Sequence, residues 1–522
     1  MTTMCTVYYG PVINPQSVTD YLALPQCLIC VSPQGDIEWI VEDVETTKLN
    51  DVLAQHDCVP SDITLVRLHD GEFLMPGLVD THTHACQVPN LGLGGEMELL
   101  QWLDNYTFPT EARFKDVEYA KRAYPDVVRR IVNSGTTTCC YYGSLHLEAT
   151  KVLASLVHAA GQRAFVGKCN MNWNCPPNYI EPSVKESVDT TLALFKYIEE
   201  LPKAACGEPL LHPILTPRFA ISCTEELLTR LGEIAQKNPK LAIQTHISEN
   251  KSEVELAKSL FKTNSYAEVY DKFHLLRDNT VLAHGVQLTE DEMVLIAKRG
   301  SGVAHCPTSN FYLSSGMARV GMLLDHGVKV GLGTDVSGGY SPSILTEIQH
   351  ASIASKMLAI QAVDNKKCKC SGGHSESSSG EEDSHSRGHG GHKHHECQCD
   401  CECDEKKPGR FTNQKLSIAA LLYLATLGGA GVCCLQDRIG SFEQKKAFDA
   451  LLVSVREDDT GNPAVWGYNP GRDLTQGVTA QSADKSLIEW LERFLFCGDD
   501  RNIKKVIVQG RTIGGRDYHP AQ

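Results

Sequence analysis

Eight short apolar runs recur along the middle of this chain, and segments of helix length separate them. The runs cover 76–84, 136–143, 163–171, 210–218, 241–249, 281–286, 301–307 and 328–335. Between them, Leu147–Ala160, Glu225–Gln236, Glu253–Phe261 and Glu290–Lys298 carry apolar residues at three-and-four spacing, the mark of a helix that buries one face. Eight strands alternating with helices is the sequence form of an α/β fold, the (β/α)8 barrel, in which function gathers at the C-terminal ends of the strands.

The first run closes on His82-Thr83-His84. Residues i and i+2 of a strand face the same side, so both imidazoles reach one point while Thr83 turns away. A lone His-x-His pair is weak support for a metal, and further ligands at strand ends are required. They are present: the fifth run ends in His246 and Glu249, the sixth carries His284, and the eighth closes on Asp335. Each candidate sits where a barrel collects its site.

These residues carry a resemblance. Pro76-Gly-Leu-Val-Asp-Thr-His-Thr-His84, the strand-terminal His246 and His284, and Thr334-Asp335 resemble the amidohydrolase superfamily. Phe108-Pro109, Leu215-Thr-Pro-Arg218-Phe219, Gln244-Thr-His-Ile-Ser-Glu-Asn250, Ala304-His-Cys-Pro307 and Gly333-Thr-Asp-Val-Ser-Gly-Gly-Tyr340 resemble, within it, the guanine deaminase family. The match runs from about Gly10 to Gly510 and breaks at one insertion. It implies a barrel over 76–440 and one small β-sandwich built from both ends, 1–75 and 441–522. It also implies a homodimer and hydrolytic deamination of guanine to xanthine and ammonia.

The ligand set supports a mechanism. His82, His84 and His246 with Asp335 make a nitrogen-rich site suited to one zinc ion per chain, which can lower the pKa of a bound water from 15.7 to about 7. Asp335 is expected to accept the water's proton, and Glu249 to carry protons between the water, a ring nitrogen and the departing amine. By analogy with the mononuclear deaminases of the superfamily, His284 is expected to donate a hydrogen bond to the hydroxide. The fourth run ends in Thr216-Pro217-Arg218, without the lysine that dinuclear relatives carbamylate, so a single metal is expected. Lys168 ends the third run instead and is read as a supporting or solvated residue. Gln87 and Arg218 offer donors and an acceptor that match an amino-purine edge. The resemblance assigns both, with Phe219, to guanine binding beside His246, Glu249, His284 and Asp335. Trp102 and Phe108 are candidates to cover the ring face.

Composition excludes some classes. A formal net charge of −15 argues against binding to a phosphate backbone. The start shows no basic region followed by an apolar core, so a cytoplasmic protein is expected. Leu416–Leu435 carries no formal charge but contains Gly428-Gly429-Ala430-Gly431, and it reads as a buried helix and loop rather than a membrane span.

Of 21 cysteines, six (Cys368, Cys370, Cys397, Cys399, Cys401 and Cys403) lie in one segment, 364–408, and the others are scattered, as expected of reduced thiols. That segment is rich in Ser, Gly, His and acids and cannot bury a core. It reads as a disordered insertion between a helix ending near Val363 and another starting near Gln414. The sharper alternative is a metal-binding flap. Two other functions compete with the main reading. An amidohydrolase deaminating another heterocycle would share the metal core and differ at Gln87 and Arg218. A non-catalytic scaffold would have lost ligands, and none is lost. The His-x-Glu and Pro-Cys-x-x-Cys signature of cytidine-type deaminases is missing.

Overall fold

The computed structural model describes residues 4–371, 409–456, 460–462, 464 and 480–519. Five strands come first: β1 (Cys5–Pro15), β2 (Tyr21–Val31), β3 (Ile37–Val41), β4 (Ile63–Arg67) and β5 (Glu72–Pro76). Eight follow: β6 (Leu78–His84), β7 (Thr136–Tyr142), β8 (Arg163–Gly167), β9 (Leu211–Leu215), β10 (Ala242–Ile247), β11 (Thr280–His284), β12 (Gly302–His305) and β13 (Lys329–Leu332). The last three are β14 (Ala450–Ser454), β15 (Ile503–Val508) and β16 (Arg511–Gly514).

Strands β6 to β13 pair in parallel in chain order. The eighth reaches the first through backbone hydrogen bonds from Asp335 N to His82 O (2.8 Å) and from His84 N to Val336 O (3.0 Å). The barrel is thereby drawn together at the end that carries the histidines. Every expected strand is present, but several stop short of their apolar runs: β8 at Gly167, β9 at Leu215, β10 at Ile247 and β13 at Leu332. Beyond those points the chain leaves the ladder. Ser248, His284 and Asp335 adopt positive φ of 50°, 75° and 44°, a backbone region unfavourable to residues with a Cβ and often found at functional sites.

The other eight strands form one sheet from both ends of the chain, in the order β16-β15-β14-β5-β1-β2-β3 with β4 beside β1, and it fits a small sandwich domain. Successive side chains of a strand face opposite sides. Accordingly Val7, Tyr9, Leu28 and Cys30 pack under the helix Leu49–Gln55, while Tyr8, Cys27 and Ile29 pack against Phe442 and Phe448. The run that begins at Pro76 belongs to both sheets. Pro76 itself pairs with Ala450 in β5, and the barrel strand starts only at Leu78. Gly77 makes the crossing, and a Cβ there would lie 2.1 Å from Thr137 Oγ1.

The helices fall where the spacing places them: Leu147–Ala160, Glu225–Lys237, Lys251–Phe261 and Glu290–Arg299. Capping boxes start the last two, with Asn250 and Glu253 in one and Thr289 and Glu292 in the other. Leu416–Leu435 contains two short helices, Ile418–Ala425 and Leu427–Val432, broken at Thr426 rather than at the glycines. Gly428 and Gly429 instead allow close packing on Val330 and Val79. No described helix is long and apolar enough to cross a membrane. The helix Ile344–Ser371 continues past Val363, since no helix breaker occurs before Gly372-Gly373. The rest of the expected insertion, 372–408, lies outside the described residues. The fifteen cysteines outside 364–408 are free thiols.

Candidate active site

Four side chains from two barrel strands and one strand-end loop converge at the mouth. His82 Nε2 lies 3.0 Å from Asp335 Oδ1, and His84 Nε2 lies 3.1 Å from His246 Nε2 and 3.4 Å from Asp335 Oδ1. One donor atom from each of the four falls within 4.8 Å of the others. The tautomer of His246 follows from its second nitrogen. Nδ1 sits 2.6 Å from the carbonyl oxygen of Arg218, which can only accept, so Nδ1 carries the proton and Nε2 presents a bare lone pair to the cluster.

Burial, reinforced by the neighbouring imidazoles, pushes His84 and His246 well below the ordinary histidine range, and burial lowers His82 too. Burial alone would raise Asp335, but the hydrogen bond with His82 and the electrostatic influence of His82, His284 and His84 hold it well below the usual carboxylate range. Neutral nitrogens and an ionised carboxylate are what a divalent ion requires, and the cluster is a fitted metal site. Asp80 braces it from below, accepting from His82 N (3.1 Å), Thr334 N (3.0 Å) and Thr334 Oγ1 (2.6 Å).

Glu249 and His284 stand beside this cluster. His284 Nε2 is 3.4 Å from Glu249 Oε2 and 3.7 Å from Asp335 Oδ2, while its Nδ1 meets the Asn310 amide at 3.0 Å. The capping box fixes Glu249, because Glu253 Oε2 accepts from Glu249 N at 2.8 Å. Burial and the negative charge of Asp335 raise the Glu249 carboxyl well above its ordinary value.

A cavity of about 360 Å³ opens over these groups, lined by His84, Gln87, Leu99, Trp102, Leu103, Arg218, Phe219, His246, Glu249, Leu313 and Asp335. The sequence-named Gln87, Arg218, Phe219 and Trp102 are all in its wall. Phe108 is not; its ring lies 5.2 Å from the Arg218 guanidinium and supports that group. Lys168 is not solvated either. It is buried, bonded to Glu181 Oε1 (2.5 Å) and Cys169 O (3.0 Å), away from the cavity wall.

Sequence reading missed Glu111. It is fully buried, accepts Arg218 Nη1 on both oxygens (3.0 and 2.7 Å), Gln87 Nε2 (2.8 Å) and Tyr179 Oη (2.6 Å), and so orients both polar groups of the cavity wall. Its one available signal was indirect: a buried guanidinium at Arg218 requires a counter-charge.

The amidohydrolase family model matches residues 73–371. A probable guanine deaminase of Schizosaccharomyces pombe is 38% identical over 513 residues, covering 98% of this chain and 84% of that protein. The guanine deaminase of Mus musculus is 37% identical over 513 residues, covering 98% and 97%. Among solved structures, guanine deaminase from C. acetobutylicum with guanine bound in its active site superposes with a TM-score of 0.75 at 30% identity, covering 97% of this chain and 99% of that one. Matched in family, in near-complete length and in fold, the chain belongs to the amidohydrolase family, within its guanine deaminase branch.

Proposed function

We propose that this chain hydrolyses guanine to xanthine and ammonia at one zinc ion held by His82, His84, His246 and Asp335. The observation that carries the reading is the cavity itself: it joins the metal cluster and Glu249 on one side to Gln87 and Arg218 on the other. A zinc ion supplies Lewis acidity, lowering the pKa of water from 15.7 to about 7.

The chain's residues do the rest. Glu111 occupies only Nη1 of Arg218, so Nε and Nη2 remain as a parallel pair of donors for a purine edge bearing a carbonyl oxygen and a ring nitrogen. Gln87, held by Glu111 and by Ser337 N (3.2 Å to Oε1), keeps one N–H for the same edge. Phe219 walls the ring from one side.

Water adds to the carbon that bears the exocyclic amine. Glu249 takes one water proton and delivers it to the adjacent ring nitrogen; it then relays the second, released by the added hydroxyl to Asp335, to the amine as the carbon–nitrogen bond breaks and ammonia leaves. Its raised carboxyl suits a group that must both take and give a proton near neutral pH. Asp335 accepts a proton beside it. His284 points Nε2 between the two carboxylates and donates to the developing oxyanion. The buried Nδ2 of Asn310 has no partner in its present orientation and fits His284 Nδ1 as its donor once the amide is reversed.

Incubating the purified protein with guanine should yield equal amounts of xanthine and ammonia, and removal of the ion by a chelator should stop both. Turnover of another amino-heterocycle with guanine untouched would overturn the substrate assignment. We also propose that two copies pair. Ile353, Met357 and Ile360 form an exposed apolar row on the helix Ile344–Ser371, and light scattering would read a dimer mass.

A further inference from the structure

A second group of soft ligands lies in the terminal sheet, away from the barrel mouth. Cys5 opens β1, Cys30 lies near the end of β2, and Glu38 is the extra residue where the β2–β3 register shifts. Val7 pairs with Cys30, and Cys5, two residues back, faces the same side. Cys5 Sγ is 3.9 Å from Glu38 Oε2, and donor atoms of Cys5, Cys30 and Glu38 all lie within 4.8 Å of one another. Cys58, just after the helix Leu49–Gln55, adds a third thiol to the same cluster.

All three are free thiols in one apolar layer. Around a tetrahedral ion with metal–sulfur bonds of about 2.3 Å, sulfurs sit about 3.8 Å apart, so Cys5 and Cys30 need to close by about 1 Å at most. Cys5 and Cys58 are half-buried and Glu38 is exposed, which leaves an entry path from solvent.

We propose that Cys5, Cys30, Cys58 and Glu38 form a binding site for a soft or borderline divalent ion of the Zn²⁺ class, separate from the barrel site. Thiolate-rich sites select such ions over calcium or magnesium. On binding, three S–H bonds lose their protons to solvent and three metal–sulfur bonds form, with no change of oxidation state. The ion ties β1, β2, β3 and the chain after Leu49–Gln55 into one unit at the β3 edge of the sheet.

The test compares full-length protein with its Cys5→Ser/Cys58→Ser variant, both loaded with Zn²⁺, freed of excess ion and analysed for metal per chain. Every other thiol and the barrel site are common to both, so the difference isolates this group. One zinc fewer in the variant, with an unchanged circular dichroism spectrum, is expected; equal zinc contents overturn the proposal. Cd²⁺ titration should show thiolate-to-metal charge-transfer absorbance reduced in the variant, and identical curves would overturn it as well. Should the double variant fail to fold, the exposed Glu38→Gln replaces it. That variant should lose one zinc to a chelator at about tenfold lower concentration, the size of effect seen when a partner of a metal site is removed. An unchanged release curve, or a Cys5–Cys30 disulfide in protein prepared without reductant, overturns the proposal.

Discussion

Arg163 and Arg218 are both buried guanidinium groups, one at the start of β8 and the other just past the end of β9. Arg163 commits its carboxylate-matching fork to structure: Nε and Nη2 meet the two oxygens of Asp449 at 2.8 and 3.2 Å, and Nη2 adds Gln509 Oε1 at 3.1 Å. That pairing joins the barrel to the terminal sheet. Arg218 binds Glu111 through Nη1 alone and keeps the equivalent fork turned to the cavity. The same chemistry holds two sheets together in one place and leaves donors open to a cavity in the other, according to which donors the fold has already used.

The comparison breaks most sharply at the mouth. Glu249→Gln should lower kcat by about 10²- to 10⁴-fold, the usual contribution of a proton-transferring side chain, while the melting temperature and bound metal stay unchanged. Steady-state xanthine formation with metal analysis checks both. At the seam the effect should be the reverse. Asp449→Ala leaves Arg163 buried and unpaired, and urea denaturation should show a loss of about 3–5 kcal/mol, with KM for guanine unchanged in the folded fraction.

A smaller effect separates positioning from catalysis. Glu111→Gln gives Arg218 a neutral acceptor in place of two anionic oxygens, and a fork misplaced by about 1 Å should cost about 10²-fold in kcat/KM. A pH profile with unchanged apparent pKa values would mark Glu111 as a positioning residue; a displaced limb would place it in the proton path.

The smallest effect concerns pH. Burial holds His305 down to about 3 and His212 down to about 4. The unfolded chain protonates both near 6.5 and the folded chain does not, so stability is complete above pH 6.5 and falls as pH drops toward 3–4. Each such imidazole steepens the loss by about 1.4 kcal/mol per pH unit, and His305→Asn should flatten the slope of melting temperature against pH.

Much of this was legible in the chain. The strands begin near their apolar runs and the helices follow their spacing because both patterns are local, set by which neighbours share a face. His82 and His84 converge for the same reason. Glu111 was invisible because it lies in the helical turn Phe108–Ala112, carries no strand-end signature, and acquires meaning only from a partner 107 residues away. Pro76 reads as the start of a barrel strand because an apolar run does not record which sheet its hydrogen bonds join. Lys168 reads as a supporting or solvated residue because its ion pair depends on Glu181, in the loop that follows β8.

By itself, then, the order of residues determined an eight-stranded barrel with nitrogen and carboxylate ligands at the strand ends, since periodicity and position along a strand need no distant partner. Only the tertiary structure decided which buried charges neutralise one another and which keep donors free. Those pairings span separations such as the 286 residues between Arg163 and Asp449, and each depends on the packing that excludes water from both members.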